Sequence, residues 1–269
     1  MRLKRFLLVA TLLLALGVSG CVASPAPSTE QTGMSVPDPT EESMSEPSVS
    51  IKESNQTSPE ITMLLARLHW FGQASFRLDG PPTIYFDPVI NFKAAPVPAD
   101  IILITHAHGD HYDAGTLKKI SSAETVIVTI PAIAEMLAKD GVPGEVHSLQ
   151  PGERTTVGEI KIEGVAAYNI DKRYHPKEAG NLGFIITVGG IRLYHAGDTD
   201  AIPEMVDYHP DVAMIPIGGT YTMNPEQAVE AVGVLKPQVV VPMHILADSN
   251  LATFQKLCDC NLWVMEVEN

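Results

Sequence analysis

Hydrophobic and polar residues form a pattern that predicts many short strands from residue 64 onwards. Short apolar runs bounded by Gly, Pro, Asn or Asp are typical of strands in a buried sheet. The predicted strands are 64–69, 75–78, 83–86, 101–105, 125–129, 159–165, 183–188, 192–195, 212–216, 238–242 and 262–267. Strands dominate the first half of this region and alternate with helices in the second half. The pattern therefore favours two sheets with helices outside them.

Four helices are predicted between these strands. The first spans 114–120, the second begins at Pro131, the third ends at Leu235 and the fourth spans 250–257. The helix that ends at Leu235 has the clearest start. Asn224 is a good N-cap, proline occupies the first helical position, and Gln227 stands at the third. This residue order predicts a helix that begins directly after Asn224.

The first sixty residues have a different character. Residues 1–5 are positively charged, and the apolar run Phe6–Val18 is too short for a comfortable membrane span. The run ends in Val18-Ser19-Gly20-Cys21, which resembles a prokaryotic lipobox. We therefore predict a signal peptide over 1–21, lipidation of Cys21 and a protein held outside the cytoplasm on the cell membrane. Residues 22–60, rich in Ser, Pro, Thr and Glu, predict a disordered tether, and 61–269 the folded domain.

The overall charge limits the possible partners. The chain has 32 acidic and 18 basic residues, a formal net charge of −14. Such a surface repels nucleic acid, so a small-molecule substrate is expected rather than DNA or RNA. Besides Cys21, the cysteines are Cys258 and Cys260. Because two cysteines this close in one strand or helix do not readily meet disulfide geometry, we predict two free thiols.

Four side chains able to bind metal follow the predicted strand 101–105. His106, His108, Asp110 and His111 stand within six positions, and Gly109 lets the backbone bend between them. Three histidines and an acid this close together would be costly to bury without a metal to satisfy them. The run therefore predicts a site for zinc or a related divalent metal.

Three further segments place similar side chains beside predicted strands. Asp198 lies just beyond the strand 192–195, and His244 follows the strand 238–242. His175 lies in a polar loop ahead of the strand 183–188. A lone histidine is seldom a metal ligand, but the shared position near strand ends makes these residues candidates.

The motif H-x-H-x-D-H after a strand, a later G-D-T and a later histidine at a strand end resemble the metallo-β-lactamase superfamily. The segments 70–76, 194–199 and 218–223 are similar to the L-ascorbate-6-phosphate lactonase-like branch of metal-dependent hydrolases. The resemblance implies an α/β fold, an αββα sandwich of two mixed sheets flanked by helices. It also implies a site for two metal ions at one edge of the sheets.

The resemblance also implies a ligand set for two divalent metals, with zinc favoured and manganese the alternative. One metal would be bound by His106, His108 and a third residue, and the other by Asp110, His111 and His244, with Asp198 as the bridge. The third residue is His175 or Asn169, and His175 is favoured because imidazole is the better zinc ligand.

Other residues near these motifs have supporting roles or none. Gln73 stands where many members of the branch have histidine, and glutamine cannot titrate near neutral pH. His195 either supports the ligands from behind or ends its strand, and Tyr221 is a candidate for substrate contact. Asp87 either holds the metal-binding loop through hydrogen bonds or forms a turn with Pro88.

The function implied by the resemblance is metal-dependent hydrolysis. A hydroxide bridging the two metals would attack an ester, lactone or phosphodiester, and Asp110 would orient it and move a proton to the leaving group. The alternative is a non-catalytic zinc-binding surface lipoprotein. Two metals with an open coordination position would favour the enzyme, and one closed site would favour the binding protein.

Overall fold

The computed structural model of the chain describes residues 57–268. The predicted signal peptide (1–21), the lipidation of Cys21 and most of the tether (22–60) lie outside these residues. In the described part of the chain, no helix combines the length and the apolar character that crossing a membrane requires.

The described region begins with helix α1 (Pro59–Leu65), two residues ahead of the predicted domain start. The Ser58 hydroxyl caps it by accepting a hydrogen bond from the backbone N–H of Ile61 at 3.3 Å. The predicted strand 64–69 is therefore wrong in its first part, and strand β1 spans only Leu68–Trp70. The reason is periodicity: Ile61, Leu64 and Leu65 are buried on one face of a helix.

The first sheet contains six strands in the order β1-β2-β3-β4-β5-β6. After β1, its strands are β2 (Phe76–Leu78), β3 (Ile84–Phe86), β4 (Ile101–Leu103), β5 (Val126–Thr129) and β6 (Glu145–Ser148). The first three strands are antiparallel, and β3 to β6 are parallel. Helices α2 (Ala114–Ile120) and α3 (Pro131–Asp140) connect the parallel strands.

The second sheet also has six strands, in the order β12-β11-β10-β9-β8-β7. They are β7 (Arg154–Val157), β8 (Ile160–Ala166), β9 (Leu182–Val188), β10 (Ile191–His195), β11 (Val212–Pro216) and β12 (Val239–Met243). Strands β7 to β10 are antiparallel, and β10, β11 and β12 are parallel. Helix α4 (Pro225–Leu235) begins with the predicted capping box of Asn224 and Gln227, and helix α5 is Asp248–Leu257.

The two sheets share one buried core, and the predicted fold of two mixed sheets flanked by helices is confirmed. Phe86 on β3 stacks against His195 on β10, with ring centroids 5.3 Å apart. The backbone N–H of Leu182, at the start of β9, donates to the carbonyl of Thr105 at 3.1 Å, just beyond β4. This contact brings the loop after β4 against the second sheet.

Sequence reasoning missed or misplaced the strands at the sheet edges. Strand β6 exposes three of its four residues and β7 two of its four, so both lack the apolar run that marks a buried strand. The predicted final strand 262–267 is wrong, because this segment forms only an isolated bridge between Leu262 and Val240. Its apolar residues pack against the core without continuous strand pairing.

The two free thiols predicted at Cys258 and Cys260 are also wrong, because these residues form a disulfide. The prediction assumed that both lie in one regular element. Instead α5 ends at Leu257, and the chain bends through the segment that follows. The two Cα atoms lie 5.2 Å apart there, within the range that a disulfide spans.

Candidate metal centre

The loop directly after β4 supplies the largest share of the candidate ligands. His106, His108, Asp110 and His111 all lie here, and the backbone N–H of His111 donates to the carbonyl of His108 at 2.9 Å. This tight turn brings the side chains of His106 and His108 to one cluster and those of Asp110 and His111 to another. The single loop therefore contributes to two groups of ligands.

His106, His108 and His175 form the first group, here called the three-histidine group. The Nε2 atom of His106 lies 3.0 Å from Nδ1 of His108 and 3.1 Å from Nε2 of His175. Nε2 of His175 lies 2.9 Å from Nδ1 of His108. Three imidazole nitrogens therefore converge on one point.

The second group, here called the mixed group, consists of Asp110, His111 and His244. The Oδ2 atom of Asp110 lies 3.7 Å from Nε2 of His111 and 3.6 Å from Nε2 of His244. Both histidines are almost completely buried, whereas the Asp110 side chain is 47% exposed. The mixed group therefore faces solvent on the side of Asp110.

Asp198 lies between the two groups. Its carboxylate oxygens are 3.5 Å from Nε2 of His175, 3.3 Å from Nε2 of His111 and 3.4 Å from Nε2 of His244. The side chain is almost fully buried, in the turn that follows β10. One carboxylate thus contacts members of both groups, as a bridging ligand would.

The donor set fits divalent cations. Ligands bound to tetrahedral zinc at about 2.0 Å stand roughly 3.3 Å from one another, which is close to the spacing in both groups. Several buried polar atoms at the centre have no hydrogen-bond partner among the described residues, namely Nε2 of His111, Oδ1 of Asp198 and both ring nitrogens of His244. Unpartnered buried polar atoms are costly, and a bound cation would satisfy those that face the centre.

Asp87 holds ligands of both groups from behind. Its carboxylate accepts hydrogen bonds from the backbone N–H of Thr105 at 2.8 Å, the Thr105 hydroxyl at 2.7 Å and Nδ1 of His111 at 2.7 Å. The Thr105 oxygen lies 3.0 Å from Nδ1 of His106. This chain of hydrogen bonds leaves Nε2 of His106 and His111 free for a cation. Of the two roles considered for Asp87, the structure shows the hydrogen-bonded one.

His175 and Asn169, the alternatives for the third ligand, lie side by side but face different partners. Nε2 of His175 belongs to the three-histidine group, while its Nδ1 lies 3.2 Å from the carbonyl oxygen of Tyr221. The side-chain amide of Asn169 donates to the carbonyls of Tyr174 and Tyr221, at 2.9 and 2.7 Å. The imidazole of His175 therefore lies among the candidate ligands, and the Asn169 amide fixes the loop that carries it. The Tyr221 contact to the site is made by the backbone carbonyl.

Like Tyr221, Gln73 contacts the centre through its backbone carbonyl. Its carbonyl accepts from the backbone N–H of His244 at 3.0 Å and from Nε1 of Trp70 at 3.0 Å. The side-chain oxygen of Gln73 is buried without a partner among the described residues, and the residue belongs to neither ligand group. Gln73 therefore supports the position of His244.

His195 also stays outside the ligand groups. It is fully buried, and its Nε2 lies 2.9 Å from the carbonyl of Ala74. Its Nδ1 accepts from the backbone N–H of Gly197 at 3.3 Å, next to Asp198. His195 therefore links the two sheets and steadies the turn that carries Asp198.

Sequence reasoning missed a buried ion pair beside the centre. Lys172 bonds to Asp200 and donates to the carbonyl of Thr222 at 2.6 Å, and Asp200 also accepts from the backbone N–H of Ile170 at 3.0 Å. These contacts tie the loop that carries His175 to the segments that follow β10 and β11. In the sequence, the feature that could have indicated this ion pair is the second acid of Gly197-Asp198-Thr199-Asp200.

Buried carboxylates give the mixed group a strongly negative environment. Burial lowers the pKa of His111, but the charges of Asp87 and Asp198 outweigh burial and raise this pKa well above its usual value. Burial likewise opposes protonation of His244, while the carboxylate of Asp110, 3.6 Å from its Nε2, and the charge of Asp198 raise the pKa. Positive charge is therefore favoured here.

The three-histidine group behaves in the opposite way. Burial and the neighbouring His111 hold the pKa of His106 well below its usual value, and burial also lowers the pKa of His175. For Asp198, burial raises the pKa, but the neighbouring His111, whose Nε2 lies 3.3 Å away, outweighs burial and keeps the carboxyl ionised. Neutral imidazoles and an ionised carboxylate are the forms that bind metal.

Two six-stranded sheets that bring histidine and aspartate side chains together beside their strand ends have the arrangement expected of a metal-binding protein with an αββα fold. Residues 67–244 match the family model described as the beta-lactamase superfamily domain, a match that ends at the ligand candidate His244. The chain belongs to the metallo-β-lactamase superfamily.

Curated relatives share the described domain. The chain is 38% identical over 192 residues to a UPF0173 metal-dependent hydrolase of Methanoculleus marisnigri, covering 66% of this chain and 80% of the relative. It is 36% identical over 193 residues to a UPF0173 metal-dependent hydrolase of Thermococcus kodakarensis, covering 67% and 84%. These names agree with the predicted metal-dependent hydrolase.

Solved structures show the same fold. A protein described as a metal-dependent hydrolase from Parabacteroides distasonis superposes with a TM-score of 0.66 at 32% identity, covering 75% of this chain and 93% of that one. Igni18, a metallo hydrolase from Ignicoccus hospitalis, gives a TM-score of 0.61 at 29% identity, covering 75% and 95%. The protein is thus a metal-dependent hydrolase of this superfamily.

Proposed function

We propose that this protein hydrolyses an ester, lactone or phosphodiester at a centre that holds two divalent cations, most simply zinc, with manganese as the alternative. One observation carries the proposal. Asp198 lies 3.3 to 3.5 Å from imidazole nitrogens of both the three-histidine group and the mixed group. A carboxylate shared in this way supports two adjacent cations.

Cations bound here would lower the pKa of a water molecule and polarise the carbonyl or phosphoryl group of the substrate. The protein supplies the arrangement around that chemistry. Asp87 and Thr105 hold His106 and His111 in the tautomer that faces the centre. Ligand nitrogens held in this way need little reorganisation during turnover.

Asp110 is the proposed proton-transfer group. The neighbouring His244, whose Nε2 lies 3.6 Å from the carboxylate, lowers the pKa of Asp110, so the carboxylate is ionised at neutral pH and able to accept a proton. Its side chain reaches solvent, whereas Asp198 is buried. The carboxylate therefore stands where it can orient an attacking water and pass a proton to a leaving group.

The non-catalytic zinc-binding protein remains the second candidate but is less well supported. A closed binding site buries all its ligands, whereas His108 and Asp110 are both exposed. The relatives are also named as hydrolases. The names of the relatives specify no substrate. Membership of the L-ascorbate-6-phosphate lactonase-like branch is therefore a narrower proposal within the hydrolase function.

We also propose that the protein acts outside the cytoplasm, anchored through a lipid on Cys21. The support is the lipobox-like sequence that ends the apolar N-terminal run. The disulfide between Cys258 and Cys260 agrees with an oxidising compartment. Metabolic labelling with a palmitate analogue should mark the wild-type protein and leave Cys21→Ala unlabelled, and equal labelling would contradict the proposal.

Metal analysis combined with a screen of chromogenic lactones, phosphodiesters and esters tests the hydrolytic proposal. Asp110→Ala should abolish turnover while the chain stays folded, and Asp207→Asn, on an exposed acid outside the centre, should not. Full activity in Asp110→Ala would contradict the proposed role.

A second pair of variants tests the ligand assignment. His175→Ala should lower the number of bound metal ions per chain, because it removes a nitrogen of the three-histidine group. Asn169→Ala should retain both ions and lower their affinity. The reverse result would make Asn169 the ligand.

A further inference from the structure

The mouth of the centre is lined by exposed aromatic side chains. All seven tyrosines lie within residues 57–268; five are buried, and Tyr174 and Tyr221 are exposed by 42% and 39%. Both exposed tyrosines adjoin the three-histidine group. Exposure of tyrosine is thus confined to the segments that flank the candidate ligands.

The two rings form one surface. Their centroids lie 5.1 Å apart in an edge-to-face arrangement, and the Tyr174 centroid is 6.5 Å from that of His108. Neither hydroxyl forms a hydrogen bond with another residue of the described region, unlike the hydroxyls of Tyr112 and Tyr168. Local hydrogen bonding therefore does not explain why tyrosine stands at these positions.

The backbone holds this surface at a fixed distance from the ligands. The carbonyls of Tyr174 and Tyr221 both accept hydrogen bonds from the Asn169 amide, and the Tyr221 carbonyl also lies 3.2 Å from Nδ1 of His175. The guanidinium carbon of Arg173 lies 5.9 Å from the Tyr174 ring centroid, and this contact further orders the ring. The aromatic surface is therefore preorganised beside the three-histidine group.

A third apolar side chain lies on the side of the mixed group. Leu246 is 42% exposed and stands two residues beyond His244. It packs against Gly218, where an added Cβ would lie 3.0 Å from Cγ of Leu246. Exposed apolar side chains therefore lie close in the chain to candidate ligands of both groups, Tyr174 beside His175 and Leu246 near His244.

We propose that the substrate carries an aryl or similarly flat apolar group, which lies against Tyr174 and Tyr221 while its scissile group faces the ligands. This inference rests on the proposed hydrolytic function. Aromatic rings gain from edge-to-face or offset contact with another ring in addition to the area they bury.

The test uses two probes that share a metal-binding head, benzylphosphonate and methylphosphonate, titrated calorimetrically into the zinc-loaded full chain. We expect the benzyl compound to bind about tenfold more tightly to the wild type. Tyr174→Leu and Tyr221→Leu should each remove most of that preference while leaving methylphosphonate affinity unchanged. Met63→Ala, on an exposed apolar residue of α1, is the control and should keep the preference.

The outcomes separate this inference from the function on which it rests. Equal affinity of the wild type for both phosphonates, or a preference that survives both leucine substitutions, would overturn the aromatic contact and leave the hydrolase intact. Failure of both phosphonates to bind would overturn the open cation centre and this inference with it. Tyr174→Phe and Tyr221→Phe keep the ring and should keep the preference for benzylphosphonate. They show whether the loss in the leucine variants comes from removing the ring rather than from misfolding.

Discussion

The two ligand groups share one loop and one carboxylate but are held by different means. The mixed group stands against the core, where Asp87 fixes His111 through a fully buried ion pair. The three-histidine group depends on a loop, because His175 is oriented by the Tyr221 carbonyl and its loop is tied down by Lys172 and Asp200. The core therefore holds the mixed group in place, whereas the packing of loops holds the His175 side of the three-histidine group.

The electrostatic difference follows the structural one. Carboxylates raise the pKa of His111 and His244, so protons compete for the positions that a cation would take in the mixed group. Burial lowers the pKa of His106 and His175, so these two members of the three-histidine group offer neutral nitrogens. We therefore expect the two positions to differ in pH dependence and in sensitivity to distant substitutions.

Replacing the shared carboxylate should have the largest effect. Asp198→Asn removes the charge that both groups contact, so we expect metal content to fall at both positions and turnover to drop roughly a thousandfold. Elemental analysis and initial rates measure the two effects. Loss of a single metal with the other retained at full affinity would show that Asp198 belongs to one group alone.

Asp87→Asn should separate the two groups. Supporting carboxylates behind metal-binding histidines contribute roughly 10- to 100-fold in metal affinity. The loss should be greater at the mixed group, because His111 contacts Asp87 directly and His106 only through Thr105. Zinc titration measures the loss of affinity at each group, and circular dichroism checks that the variant is folded. Asp207→Asn serves as the control. An equal loss at both positions would remove the distinction.

A change of pH should act mainly on the mixed group. Since the pKa values of His111 and His244 are raised, these residues bind protons more readily than ordinary histidines do, and a cation must displace any proton they hold. Between pH 7 and pH 6, affinity at the mixed group should fall about tenfold for each proton displaced. His106 and His175, with lowered pKa values, are already unprotonated, so they add little pH dependence over this interval. Isothermal titration at both pH values should resolve the difference, and parallel losses at the two positions would contradict it.

The smallest effect should come from the loop that carries His175. Lys172→Met breaks the contacts to Asp200 and Thr222, which act on the ligands only through the loop. We therefore expect metal affinity at the three-histidine group to fall roughly fivefold, about the value of one ordinary hydrogen bond. Lys177→Met, which removes an exposed ion pair with Glu204, should leave both positions unchanged. A loss confined to the mixed group would contradict this assignment.

Much of the fold and of the ligand set is predictable because it depends on local pattern. Buried apolar strands followed by His106, Asp198 and His244 are visible in the sequence, and the structure brings all three together. The errors occur where local pattern is weak: strands β6 and β7 at the sheet edges, the helix in place of a strand at Leu64, and the disulfide in a bend after α5.

The supporting contacts were harder to predict, because they join residues far apart in the chain. Asp87 reaches His111 across 24 positions, and Lys172 reaches Asp200 across 28. Two of the contacts that hold ligands involve backbone carbonyls, those of Gln73 and Tyr221, whose positions no side-chain pattern encodes. Only the three-dimensional packing of the loops identifies such partners.

The most direct test of two adjacent cations that share Asp198 is anomalous diffraction at the zinc edge from crystals of the zinc-loaded protein. Two peaks should appear on opposite sides of the Asp198 carboxylate, roughly 3.5–4 Å apart. One peak should be bordered by the three-histidine group and the other by the mixed group. A single peak enclosed by four protein ligands, or no peak near Asp198, would contradict the account.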